Sequence, residues 1–253
     1  KLDESAMTEA EVEENKMFWE TYEQFTTYLR EKTNCSVIRV PNAEADDVIA
    51  RFVALHPEDT HYIISSDTDY AQLISENVHQ YNGVTGQLIK LDGYYNERGK
   101  PVKDKKTGEH KLLEDPEYLL FKKIIRGDAT DNVFSAYPGV REKGSKNTVG
   151  IREAFDDRNK QGFNWNNFML QKWVDHNQVE HTVRDDYLRN KMLIDLTAQP
   201  DDIKQKETIA RQIQTEARAK GAYLASIHDV YIARGKGQGK NFTVPAMNLR
   251  SLT

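Results

Sequence analysis

The chain has 253 residues, 38% of them hydrophobic and 30% charged, with a formal net charge of -5 and one cysteine. That length can bury a core as one large domain or as a core with a smaller lobe, and the polar balance suggests extensive charged surface and some mobile loops. A lone Cys35 excludes an intrachain disulfide and points to a reducing cytoplasm, while no apolar run approaches the roughly 18 residues of a membrane span and no signal-peptide pattern opens the chain.

In chain order, residues 1 to 15 are acidic without a periodic apolar face and read as a frayed or mobile lead-in. From Lys16 to Glu31, Phe18, Tyr22, Phe25 and Leu29 recur at steps of four, three and four, the spacing of an amphipathic helix whose aromatics are expected in a core. Cys35 to Val40 is short and β-branched, a strand candidate. Asn42 begins a turn, and Ala45 to Leu55 predicts a helix with Val48, Ile49, Phe52 and Val53 turned inward. His61 to Ser65 has the pattern of a buried parallel strand, and Tyr70 to Ile74 starts another helix. The turn pairs Asn82-Gly83 and Thr85-Gly86 predict a hairpin between short β-like runs. The basic loop from Glu97 to Lys111 reads as a solvated turn, a second hairpin or a phosphate contact. Glu117 to Arg126 predicts a helix with Leu120, Phe121, Ile124 and Ile125 on its apolar face, stopped by Gly127. Phe163 to Val174 predicts an aromatic-rich packing helix containing Trp165, Phe168 and Trp173. Glu207 to Ile232 predicts a helix broken near Gly221, followed by the basic linker Arg234 to Lys240 and a terminal arm that would dock onto the core or a partner.

The acidic residues carry the chemistry. Glu44, Asp46 and Asp47 fall at a predicted helix N-terminus, Asp67 and Asp69 follow a predicted strand, and Asp128 and Asp131 follow a predicted helix. Carboxylates bordering core elements cost several kcal/mol each unless something positive neutralises them, and three such pairs suggest a two-cation site. In an open α/β sheet, ligands bind at the carboxyl ends of strands, where Asp67 and Asp69 are expected. Helix capping accounts for acids in a first turn equally well, and Asp-Thr-Asp after a strand also fits an N-cap. A net negative chain is an unusual nucleic-acid partner. Its bases, however, cluster at Arg98 to Lys111, Arg141 to Lys146 and Arg234 to Lys240, and bound divalent cations would reverse the charge at the acidic pairs.

The motifs EADD, ISSDTD and GDATDN, in this order and spacing, closely resemble the core of the flap endonuclease and 5′ to 3′ exonuclease family, especially its phage ribonuclease H type. The resemblance covers roughly Phe18 to Ile203. It implies an α/β fold, a PIN-like parallel-sheet core flanked by helices, with a helical, helix-turn-helix-variant DNA-binding lobe. The implied division is a metal-binding core over residues 1–135, a duplex-binding lobe over 136–200, and a C-terminal helix and basic tail over 201–253. It further implies Glu44, Asp46 and Asp67 at a tighter metal site and Asp69, Asp128 and Asp131 at a second, with Asp47 an accessory acid and Asp46, Asp67 and Asp69 closest to catalysis. Within Pro138 to Phe155, Gly139, Val140, Gly144, Ser145, Lys146 and Thr148 are the implied phosphate binders, through main-chain amides and with a potassium ion at the turn. This turn is longer than the family's compact Gly-x-Gly, and a polar interhelical loop is the plainer account. Tyr187 to Leu196 also resembles the family; Arg189 and Lys191 there are backbone contacts or simply surface charge.

The family's opening strand and arch, with a further metal-binding aspartate and basic arch residues, have no counterpart in residues 1 to 17. Either a segment precedes this chain or the form is catalytically incomplete, and the first is expected because the helix at Phe18 begins without the opening strand that a doubly wound sheet needs. The implied reaction is phosphodiester hydrolysis with two Mg²⁺ ions roughly 3.5 to 4 Å apart. Oxygen ligands without a Cys and His cluster suit Mg²⁺ or Mn²⁺. The implied substrate is a 5′ end, flap or RNA primer on duplex DNA. A monomer is implied, acting in the cytoplasm (the host's, if phage-encoded) beside a single-strand-binding or other replication protein. A PIN-type ribonuclease using the same acids, and a non-catalytic junction-binding protein, are the rival readings.

Overall fold

The computed structural model describes residues 7–33, 35–40 and 43–198. The described residues fall into two compact units, one holding residues 7–40 and the other residues 43–198. The predicted Glu207 to Ile232 helix, the basic linker and the terminal arm lie outside the described residues, as do residues 1–6 and Asn42.

The first unit contains helix α1, Glu9–Lys32. Residues 9 to 15 are thus helical rather than frayed. Thr8 accepts from the Glu11 N–H while the Glu11 side chain takes the Thr8 N–H, and this reciprocal cap satisfies donors that the helix start would otherwise leave open. The aromatics of α1 depart from expectation. Phe18, Trp19 and Tyr22 are exposed, with ring centroids 5.3 to 6.4 Å apart, and Arg39 lies 5.0 Å over the Tyr22 ring. They stack on one another because Trp19 adjoins the four-three spacing and broadens it into an aromatic cluster. Cys35 to Val40 forms no strand among the described residues. β-branched residues favour strands only where a neighbour offers pairing.

The second unit opens with α2, Ala45–Leu55, then β1, His61–Ile64. A short 3₁₀ helix, Thr68–Leu73, replaces the expected helix from Tyr70. Strands β2 (Val78–Asn82), β3 (Gln87–Lys90) and β4 (Gly93–Asn96) complete a four-stranded sheet of order β1-β2-β3-β4. Only β1 and β2 run parallel; β2 to β3 and β3 to β4 are antiparallel hairpins, so the sheet is mixed rather than the parallel sheet expected. The turn residues between Asn82 and Gln87 and at Gly93 explain this, since short turns reverse a chain and parallel pairing needs a long crossover. The basic loop makes isolated bridges, Tyr95 with Pro101 and Lys103 with His110, and no second full hairpin.

Helix α3, Pro116–Arg126, is capped by Asp115, whose side chain accepts from the Glu117 N–H, and ends at Gly127 at φ +74°. After it come α4 (Ile151–Asp156), α5 (Phe163–Met169), the hairpin of β5 (Lys172–Val174) and β6 (Glu180–Thr182), and α6 (Val183–Ile194). The expected Phe163 to Val174 helix therefore stops at Met169. Trp173 lies in β5, stacked on His181 at 4.3 Å, and donates its indole N–H to the Ala136 carbonyl.

Two cores form within this unit. Tyr118, Phe121 and Ile125 of α3 join Ile151, Phe155, Phe168 and Val183 in a helical core, where burial of each large side chain contributes about 1.5–3 kcal/mol. Ala50, Ile63, Tyr70, Val78 and Leu196 form the core beside the sheet. Leu196 joins strands more than a hundred residues earlier, and Gln72 secures it by donating to the Ile194 carbonyl (3.2 Å) and accepting from the Leu196 N–H (2.9 Å). No helix among the described residues is long and apolar enough to cross a membrane.

Candidate metal centre

The site begins where β1 ends. Beyond Ile64 the chain turns, the Ser65 hydroxyl accepts from the Asp67 N–H, and the Asp67 carboxylate accepts from the Asp69 N–H, starting the 3₁₀ helix. Gln80, buried on β2, donates to the carbonyls of Ser65 (2.9 Å) and Asp67 (2.6 Å) and so fixes this turn from beneath.

The second contribution comes after α3. Gly127 is required there, because a Cβ would meet the Val133 carbonyl oxygen at 2.3 Å. The chain then closes a small loop in which Asp128 and Val133 exchange both backbone hydrogen bonds, at 2.8 and 2.7 Å. Thr130 donates its N–H and hydroxyl to one oxygen of Asp128. This geometry brings together Asp69, Asp128 and Asp131, whose carboxylate oxygens lie within 4.8 Å of one another. These are the three acids assigned from the motifs to one cation.

Glu44, Asp46 and Asp67 lie outside that group, though electrostatically they belong to its surroundings. The Glu44 carboxyl is raised by Asp46, then by burial, Asp47 and Asp131. Asp131 is raised by burial, then by Asp128, Asp69 and Asp67 against a lowering from Lys123. The Tyr70 hydroxyl is pushed up to about 12 by burial and by Asp46, Asp67 and Asp69. Asp47 instead turns back to accept from the Glu44 N–H at 3.4 Å, and Asp46 accepts from the Asp47 N–H at 2.9 Å, the capping role foreseen for acids in a first turn.

Lys123 was not singled out by the sequence motifs. From α3 its ammonium reaches both Asp69 and Asp128, the latter at 2.6 Å. Burial pushes it down, but the hydrogen bonds to Asp128 and Asp69 outweigh burial and hold it above the ordinary lysine range. Lys123 in turn, followed by Thr130, holds the Asp128 carboxyl well below the usual range. The available signal was its place five residues before Asp128 on a helix whose apolar face is otherwise regular. Asp67, Asp69, Lys122, Lys123 and Arg126 line an open cleft of about 420 Å³.

The donor set is the test of fit for a metal. Three carboxylates of this spacing, with no sulfur or imidazole in the group, match the hard oxygen sites that Mg²⁺ and Mn²⁺ prefer.

The predicted phosphate-binding turn takes an unforeseen form. Gly139 has φ +73° with open space around it, and Arg141, Lys143 and Lys146 are exposed. The expectation that Gly144 offers its amide to phosphate is not met. The Gly144 and Gly150 N–H groups both donate to the Glu153 carboxylate, at 3.0 and 2.9 Å, and the Ser145 N–H donates to the Thr148 carbonyl. Gly144 and Gly150 serve close approach, since a Cβ on either would lie 2.3 Å from the other strand of the turn. Burial pushes Glu153 up, but the amides of Gly144, Glu153 and Gly150 outweigh it and keep the carboxyl below its usual range. Val140 is half-buried, packed against the helical core, and Ser145 and Thr148 share a side-chain hydrogen bond of 2.7 Å.

A family model described as the 5′-3′ exonuclease N-terminal, resolvase-like domain matches residues 15–105. A DNA polymerase I of Rhizobium leguminosarum is 31% identical over 135 residues, 51% of this chain and 11% of that protein. A flap endonuclease of Escherichia phage T5 is 29% identical over 140 residues, 53% of this chain and 42% of that protein. A 5′-3′ exonuclease of Mycoplasmopsis pulmonis is 31% identical over 108 residues, 42% of this chain and 31% of that protein. The matches thus span less than half the length of each relative. Among solved structures, the T5 5′-exonuclease with zinc bound has a TM-score of 0.52 at 20% identity, covering 84% of this chain and 73% of that one. The T5 flap endonuclease in a pseudo-enzyme-product complex with DNA and metal ions has a TM-score of 0.50 at 19% identity, covering 85% and 74%. The fold is therefore the α/β fold of the T5 5′-exonuclease, and residues 15–105 match the N-terminal, resolvase-like domain of 5′-3′ exonucleases.

Proposed function

We propose that the protein is a structure-specific 5′ nuclease that hydrolyses phosphodiesters at 5′ ends, flaps or RNA primers on duplex DNA, as in lagging-strand processing. The observation that carries this reading is the convergence of Asp69, Asp128 and Asp131 beside an open cleft at the carboxyl end of β1. In the proposal Asp69, Asp128 and Asp131 hold one divalent cation, Mg²⁺ or in its place Mn²⁺, and Glu44, Asp46 and Asp67 contribute to a second. Bound there, the cations would lower the pKa of a water and stabilise the leaving oxygen. The chain's own residues do the rest. Gln80 and the Asp128 to Val133 loop hold the carboxylates in place, and Lys123 offsets their charge where an anionic phosphodiester must approach. The exposed Arg141, Lys143 and Lys146 would meet duplex phosphate, with Gly139, Val140, Ser145 and Thr148 shaping the turn and a potassium ion as an added ligand. The division at residues 135 and 200 into nuclease core, duplex-binding lobe and C-terminal tail, a monomeric state, a cytoplasmic location and a replication-protein partner belong to the same proposal.

The test is a 5′-labelled flap duplex incubated with the protein, with Mg²⁺ or with chelator, and scored for product length. Mg²⁺-dependent cutting that falls by orders of magnitude in Asp67→Ala and Asp128→Ala, with flap binding retained, is expected. Undiminished cutting by Asp128→Ala would reject the site, and flap binding with no cutting under any divalent cation would favour the junction-binding reading.

A further inference from the structure

The two acids of the Asp128 to Asp131 segment are carried by a loop, and a loop holds ligand geometry only as well as its two ends are held. The ends are the last turn of α3, at Ile124, and Phe134. Both of these carbonyls accept from one side chain: the amide of Asn190 on α6 donates to the Ile124 oxygen at 3.0 Å and to the Phe134 oxygen at 2.7 Å. Asn190 is fully buried, 0% exposed, and its two N–H bonds are both used.

The orientation of that amide is itself determined. Arg189 donates from Nε and Nη2 to Asn190 Oδ1, at 3.2 and 3.1 Å. A guanidinium has donors only, so it can face only the oxygen of the amide, and the nitrogen must then face the two carbonyls. Arg189 is anchored in turn by Nη1 to the buried Asp186 at 2.6 Å, and Asp186 lies 3.2 Å from His181 Nδ1. No member of this chain of contacts touches the carboxylates.

We infer that Asn190 is a positioning residue for the candidate metal centre: its two hydrogen bonds pin together the ends of the loop that presents Asp128 and Asp131. The inference rests on the proposed metal site. Small separations of the loop ends are passed on to the ligands because the segment between them is short and internally bonded. Partners hydrogen-bonded directly to the ligands are typically worth about 10–100-fold in metal affinity, and a residue acting one contact further out is expected at the low end of that range. An ordinary core role would contribute to stability alone.

The experiment is Mn²⁺ binding by calorimetry on the folded protein, with folding followed by circular dichroism. Asn190→Asp keeps the shape and loses both donors, setting a carboxyl oxygen against two carbonyls. A loss of about tenfold or more in Mn²⁺ affinity is expected. Phe168→Leu, which trims the helical core where it packs against Phe121 and Tyr137 and leaves the Asn190 hydrogen bonds in place, should lower the melting midpoint while leaving affinity within about twofold. Wild-type affinity in Asn190→Asp would overturn the inference, as would an equal loss of affinity in Phe168→Leu. Should Asn190→Asp fail to fold, Asn190→Ala decides instead: it removes both donors without setting an ionisable group beside the two carbonyls, so affinity should fall and an unchanged value would overturn the inference. Asp128→Ala separates the two levels. If it binds Mn²⁺ as wild type does, or if the wild type binds none, the metal-site reading itself fails; if it loses binding while Asn190→Asp keeps it, only the role of Asn190 fails.

Discussion

Single side chains in this protein pull stability and cation binding in opposite directions. Asp131 is exposed and its carboxyl is raised by burial and by neighbouring acids, so its ionised form costs the fold something near neutral pH. Asp131→Asn is expected to raise stability without metal slightly, by less than about 0.5 kcal/mol because solvent screens the charge, and to weaken Mn²⁺ binding. Thermal melts with and without Mn²⁺ would show the curves crossing; a destabilised metal-free variant would contradict the charge argument. Glu153 works in the other sense. Its carboxyl is held below the usual range, so the stability it supplies is fully present above the ordinary carboxylate pKa and disappears as pH falls through the depressed one. Wild type should therefore exceed Glu153→Gln by up to about 1 kcal/mol near pH 7, with the gap closing below about pH 4. Denaturant midpoints across that range are the measurement.

At the scale of elements, the backbone at Gly127 links helix to site. The residue sits at φ +74° with the Val133 and Phe134 carbonyls packed against the space a side chain would fill. Gly127→Ala should cost about 1–3 kcal/mol by chemical denaturation and should weaken divalent binding as well, since the loop bearing Asp128 begins there. The elements themselves were largely legible. Ala45 to Leu55 and Glu117 to Arg126 announce helices by period and caps, and Asn82-Gly83 marks a turn between strands. The strand suggested by Cys35 to Val40 was misread because β-branching describes what a residue tolerates and says nothing of whether a partner lies alongside. The Phe163 to Val174 run was overextended because Trp173 serves a stack with His181 that lies eight residues away along a hairpin.

Across the whole molecule, the candidate site was visible as motifs and hidden as geometry. Asp69, Asp128 and Asp131 could be paired from their turns, yet Lys123, Gln80, Asn190 and Glu153 act through contacts that no local pattern encodes. Each is a polar side chain inside a regular element, which in a sequence is indistinguishable from a solvated face. Long-range closure shows the same limit. Leu196 is 7% exposed in a core otherwise built from residues 50 to 78, and Leu196→Ala is expected to lower stability by about 2–5 kcal/mol. Unfolding monitored by hydrogen exchange at β1 and β2 would report it, with those strands losing protection first.

That late arrival of Leu196 has a consequence during synthesis. Chains emerge from the ribosome N-terminal part first, at about 5–20 residues each second. The sheet can therefore be out of the exit tunnel for several seconds before the residue that seals one of its faces, and the Gln72 hydrogen bonds that fasten it, become available. Over that interval the core around Ile63 and Val78 is covered only by its earlier neighbours, such as Ala50, Tyr70 and Leu73, and lacks the one residue that arrives late.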